Sequence, residues 1–166
     1  MIRHALTRLR PARPGDGPAA YALFHAAVHE GVAHFYTVPE RTAWAPAIPP
    51  PDWETRLLEG HGLIASRMGQ MAGFMVMGAD GFIDLAYVRP REMGRGVADI
   101  LYAAQEAHAR TLGLALLQTE ASHLARRFFL RHGWRQVARQ SVIRNGVTLT
   151  NFRMEKQLQA DRRAAP

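Results

Sequence analysis

The chain has no cysteine. That absence excludes disulfides, thiolate metal sites and a cysteine nucleophile together. Lysine is nearly missing as well: of the 21 basic residues only Lys156 is lysine, so the formal charge of +7 rests on guanidinium groups. Such an arginine skew, with abundant alanine, weakens the case for nucleic acid and leaves a small polyanionic ligand as the simpler partner. No apolar run approaches the roughly 20 residues of a membrane span, and charges interrupt residues 1–10. The expectation is a cytoplasmic protein with no membrane partner.

With 166 residues, 48% hydrophobic and 21% charged, the chain has the composition of one globular domain with one cleft. That domain is expected over residues 1–156, with 157–166 a polar tail that frays. A first strand is expected at residues 7–11, then a Pro-Gly-Asp-Gly-Pro turn whose Asp16 could cap a helix over 19–30. Residues 32–51, rich in proline and aromatics, read as an ordered irregular segment before a short helix at 52–59. Apolar runs at 63–66, 71–77 and 82–88, with Gly69-Gln70 and Asp80-Gly81 between them, predict an antiparallel meander. Val97, Ile100, Leu101, Ala104 and Ala107 share a face of a helix over 97–112. A buried strand at 114–119, a helix at 122–132 and a hairpin of 137–144 with 147–154 about Asn145-Gly146 complete the chain.

The most informative stretch joins the third meander strand to the helix that follows. Asp84-Leu-Ala-Tyr-Val-Arg89 ends at Pro90, and Arg91-Glu-Met-Gly-Arg-Gly96 leads into the helix. Unpaired amides at a helix start point at an anion, and glycine lets the backbone come close, so this is a device for a pyrophosphate.

A strand, an R-x-x-G-x-G loop, a helix, a strand, and a helix with Phe129 four residues before Gly133-Trp134 resemble the GNAT superfamily of acyl-CoA-dependent N-acetyltransferases. The order of elements over residues 7–156 matches too. Ala43-Trp-Ala-Pro46, Trp53-Glu-x-Arg-Leu57 and Thr119-Glu-Ala-Ser122 are similar to the YafP-like bacterial branch. The resemblance implies an α+β fold: a mostly antiparallel mixed sheet, its middle strands splayed, flanked by helices. It also implies acetyl-CoA as co-substrate. Arg91, Glu92, Met93, Gly94, Arg95, Gly96 and Val97 would hold the pyrophosphate, and the backbone of Ala86, Tyr87 and Val88 the pantetheine arm, with Ser122 and Phe129 beside it. One of Arg95, Arg126 or Arg127 would meet the adenosine 3'-phosphate.

Acetyl transfer to an amine needs a neutral nucleophile, a polarised carbonyl and a proton for the leaving thiolate. Many family members use a tyrosine on the helix after the fifth strand as proton donor; the matching residue here is Phe129, which has no proton to give. Tyr36 is the nearest replacement in the sequence. As general base, Asp84 ranks slightly ahead of Glu120, which ends the strand at 114–119. Tyr36, Trp44, Trp53 and His29 are candidates for the acceptor wall, since aromatic faces hold apolar or cationic groups. His25 and His29 stand one helical turn apart, but no H-E-x-x-H pattern accompanies them and no metal is expected.

The sequence therefore predicts an enzyme that passes acetyl directly from acetyl-CoA to a primary amine on a small molecule or peptide, as a monomer or homodimer. The alternative it motivates, through Phe129, is a CoA-binding regulatory or interaction module without transfer activity.

Overall fold

In a computed structural model describing residues 7–159, seven strands form one sheet in the order β1-β2-β3-β4-β5-β7-β6. Strands β1 (Thr7–Pro11), β2 (His61–Arg67), β3 (Gln70–Met77) and β4 (Phe82–Val88) make the expected antiparallel meander. Strands β5 (Leu116–Ala121), β6 (Arg135–Arg144) and β7 (Val147–Gln157) are antiparallel among themselves, and β4 with β5 is the one parallel junction. Helices α1 (Gly17–Ala26), α2 (Val38–Trp44) and α3 (Trp53–Leu58) pack with Phe74 and Leu149 on one face. Helices α4 (Val97–Thr111) and α5 (His123–Arg131) cover the other with Leu101, Tyr102, Phe129, Trp134 and Met154. Among the described residues no helix is long and apolar enough to cross a membrane.

Several expectations about the N-terminal half need correction. Asp16 does not cap α1 with its side chain: Arg10 takes the carboxylate in two 2.8 Å hydrogen bonds, which hold it below the usual carboxylate range. Glu54 does that work from α3, accepting from the amides of Gly15 at 2.8 Å and Gly17 at 2.9 Å. The helix expected over 19–30 stops being α-helical at Ala26 and continues as one wide π turn, Ala27–Gly31. Such turns recur at functional sites because the extra residue re-aims side chains.

The segment at 32–51 is not irregular throughout. Thr37 and Glu40 form a reciprocal capping box around Pro39 and start α2. Thr37→Ala is expected to cost about 1 kcal/mol, read as a lower urea midpoint with an unchanged denaturant slope. At the other end β7 runs to Gln157, one residue into the expected tail, and Leu158 beyond it is buried with its amide on the Ala115 carbonyl at 2.8 Å. The remaining tail, 160–166, lies outside the described residues.

The feature that makes a site is a bulge in β4. Val76 faces Leu85 across the ladder, yet the next residue, Met77, faces Ile83, which leaves Asp84 as the extra residue. A one-residue slip exchanges faces. Accordingly Ile83 enters the α4 side of the core while Leu85 enters the α1 side. β5 follows β4 only at Phe82↔Gln118 and Ile83↔Thr119, where the Thr119 hydroxyl donates to the Ile83 carbonyl at 2.8 Å. Beyond that point β5 pairs with β7 alone, and the two middle strands part.

Candidate active site

Two clefts meet where β4 and β5 separate. The first, about 520 Å³, lies between α4 and α5. Its floor is Ala86, Tyr87 and Val88 of β4, whose β5-facing edge has no strand partner past Ile83. Phe129 lies at its base, and Ser122, Leu124 and Ala125 form the opposite wall. One end is the loop before α4. Gly94 and Gly96 adopt φ of 73° and 81°, left-handed values that β-branched residues avoid. No side chain caps α4, so its first-turn amides stay available to an anion. Arg127 and Arg131 line the same cleft.

Acidic groups around that loop are already paired. Glu92 meets Arg67 at 3.0 Å, and Asp99 accepts from or pairs with His132 Nε2 at 2.8 Å. Met93 packs against the π turn so closely that a Cβ on Gly31 would stand 2.6 Å from its Cε. Of the residues expected here, Glu92, Met93, Gly94, Gly96 and Val97 line the cleft together with Ala86, Tyr87, Val88, Ser122 and Phe129. Arg91 does not, because its guanidinium turns to Gln70 on the neighbouring strand. Arg95 and Arg126 are likewise absent from the lining, Arg126 being held by Gln136 and stacked on Phe152.

The second cleft, about 570 Å³, opens on the other face between α2, α3 and the β6–β7 hairpin. Asn145 at the hairpin tip donates to the Ala43 carbonyl at 2.8 Å and fastens the hairpin over α2. Asp84 and Glu120 both line it. Their environments differ: Arg56 grips both oxygens of Asp84 at 3.1–3.2 Å, whereas among the described residues the Glu120 carboxylate accepts only from the Asn151 amide, at 3.4 Å. The Asp84 lone pairs are thus engaged by a guanidinium, whereas those of Glu120 are more open to the cleft.

Trp44, Tyr87 and Ser122 line both clefts and so mark their junction. Tyr87 is packed among Phe24, Phe74 and Trp44, and burial pushes its hydroxyl up to about 12. The face that the Tyr87 side chain takes depends on the bulge, which is set by β3 and is not legible in the residues around Tyr87.

Other candidates are placed differently. The Tyr36 hydroxyl donates to the Thr150 carbonyl at 2.7 Å and accepts from the His123 amide at 3.2 Å, so its proton is committed to joining α5 and β7. Burial also raises it above the usual tyrosine range. Trp53 is 4% exposed, with its indole N–H on the Gly17 carbonyl at 3.0 Å; it touches the second cleft chiefly as core. His29 lines neither cleft, pairing instead with the Ala45 carbonyl at 2.9 Å and lying against His25 at 4.1 Å between ring centroids. Among the described residues no group of three or more His, Asp or Glu is placed to hold a metal.

Comparison with known proteins agrees with this geometry. A family model described as an acetyltransferase (GNAT) domain matches residues 25–156. The N-acetyltransferase YafP of Escherichia coli K12 is 30% identical over 147 residues, spanning 89% of this chain and 93% of that protein. A solved GCN5-related N-acetyltransferase from Rhodopseudomonas palustris is 34% identical with a TM-score of 0.85, covering 91% of this chain and 95% of its own. PaiA N-acetyltransferase of Thermoplasma acidophilum, solved with coenzyme A, shares the fold at 13% identity, with a TM-score of 0.70 over 92% of this chain and 99% of its own. With the splayed middle strands, the glycine loop and these likenesses together, the chain belongs to the GNAT acetyltransferase family, in its YafP-like branch.

Proposed function

We propose that this protein transfers acetyl from acetyl-CoA directly to a primary amine, in a ternary complex without a covalent intermediate. The observation that carries the reading is that the two clefts share Trp44, Tyr87 and Ser122 as lining residues, beside the place where β4 and β5 part. A donor entering from one face and an acceptor from the other would meet there. PaiA, solved with coenzyme A, supports the donor assignment.

In this reading the first cleft takes the donor. The first-turn amides of α4 and the left-handed loop bind the pyrophosphate, while Arg127 and Arg131 face the outer phosphate. The free edge of Ala86, Tyr87 and Val88 binds the pantetheine arm as an added strand would. The second cleft takes the amine. Trp44 supplies an apolar face, and Glu120 accepts the proton that the nitrogen sheds, directly or through water.

The test is thiol release from acetyl-CoA in the presence of amino acids, polyamines, amino sugars and peptides with free N-termini. Thiol release that depends on one class of amine is expected. Calorimetric binding of coenzyme A without release for any amine would support the binding-module reading that Phe129 motivates. Gly96→Val gives a separate check on the donor cleft: at φ 81° valine is strained and its branch displaces the backbone from the ligand. Affinity for coenzyme A is expected to fall at least tenfold, about 1.4 kcal/mol, in a variant that stays folded.

A further inference from the structure

Departure of the thiolate leaves negative charge on sulfur, and the side chain that would meet it in many relatives is here the phenylalanine Phe129. The chain has 4 tyrosines. Three hydroxyls are occupied away from the junction: Tyr21 donates to the Pro46 carbonyl, Tyr36 to Thr150, and Tyr102 sits under Trp134 Nε1 at 2.9 Å and Lys156 Nζ at 3.4 Å. Tyr87 is the tyrosine that lines both clefts, and the partner of its hydroxyl is the Trp44 side chain, whose indole N–H can only donate and so leaves the phenolic proton unspent. We infer that Tyr87 is a catalytic residue whose hydroxyl donates a hydrogen bond to the departing sulfur, in place of the tyrosine that position 129 lacks.

This rests on the acetyl-transfer reading above. The nitrogen–carbon bond forms and the carbon–sulfur bond breaks, with the bonding pair going to sulfur. The amine's surplus proton goes to Glu120, and water carries it from there to the thiolate, so thioester and amine become amide and thiol with nothing left over. Tyr87 remains a phenol throughout. A tyrosine pushed up to about 12 cannot hand its proton outright to a thiolate whose conjugate acid titrates near ~8.5. It can hold a fixed dipole against the developing charge in a site walled by Phe24, Phe74 and Trp44, where such a bond is strong because the site does not have to reorganise.

The experiment uses the full-length protein, acetyl-CoA and whichever amine supports thiol release. Tyr87→Phe is expected to lower kcat about 10- to 100-fold, with the KM of both substrates, coenzyme A affinity and Tm nearly unchanged. Difluorotyrosine introduced at position 87 retains the donor but ionises at lower pH, and it is expected to add a basic limb to kcat that the wild type lacks in the same range. That second arm decides the matter if Tyr87→Phe misfolds. Wild-type kcat in Tyr87→Phe, a change confined to KM, no new basic limb, or a loss found in Ser122→Ala alone would each overturn the inference. Failure of the wild type to release thiol with any amine is a different result: it removes the transfer reading before Tyr87 is tested.

Discussion

Glu120→Gln is expected to lower kcat by about 10² to 10⁴, the usual worth of a general base, with coenzyme A affinity unchanged. Asp84→Asn is expected to lose less than tenfold. The two carboxylates line one cleft, so the difference comes from their partners. Asp84 is the bulged residue of β4 and its oxygens are held by Arg56, which gives it an orienting task for the cleft wall. Glu120 stands at the point where β5 leaves β4, close to the junction, with one long hydrogen bond from Asn151. A large loss in Asp84→Asn with Glu120→Gln near wild type would restore the opposite order. Equal activity in both variants would mean that the amine arrives already neutral.

The ranking of those carboxylates shows what a sequence does and does not reveal here. Some local signals hold in the fold: Asp80-Gly81 and Asn145-Gly146 make turns, and the glycine loop falls between β4 and α4; the apolar face expected of α4 holds only in part, since Val97 and Leu101 are buried but Ala107 is exposed and Tyr102, Gln105 and Ala109 fill the core instead. Each depends on residues within a few positions of one another. Thr37-Val-Pro-Glu40 is equally local and carries the signature of a helix start: Pro39 sits in the first turn, where a missing amide costs nothing. Long-range facts were not legible. The bulge at Asp84 exists only relative to β3, Arg56 reaches Asp84 from 28 residues away, and the Tyr36 hydroxyl is claimed by a carbonyl 114 residues distant. Backbone features, such as the left-handed glycines of the loop and the position of the β4 strand, are written in nearby residues. Roles of side chains that need a free lone pair or proton are not, because freedom is a property of the surroundings.

Phe129→Ala is expected to cost about 3–5 kcal/mol of stability, the range for emptying a buried aromatic site. Phe129 is 1% exposed, with ring centroids 4.6 Å from Trp134, 5.3 Å from Phe128 and 6.3 Å from Tyr102. Tyr102 and Trp134 are joined by a 2.9 Å hydrogen bond, and a void beside them lets that buried pair shift. For a domain of this size each kcal/mol moves Tm by roughly 2–4 °C, so a drop of the order of 10 °C should be visible by calorimetry. Coenzyme A affinity should fall too, since the same ring forms the base of the donor cleft. Phe129→Tyr separates packing from chemistry. Its hydroxyl would enter a pocket built for a hydrocarbon edge and is expected to cost about 1–3 kcal/mol if it finds no partner, with turnover per folded molecule unchanged or modestly raised. A rise well beyond tenfold would mean that the proton-donating position of the family is still open in this chain and that Tyr87 does not fill it. An unaltered Tm in Phe129→Ala would place the ring outside the core and remove the basis for putting it beside the donor.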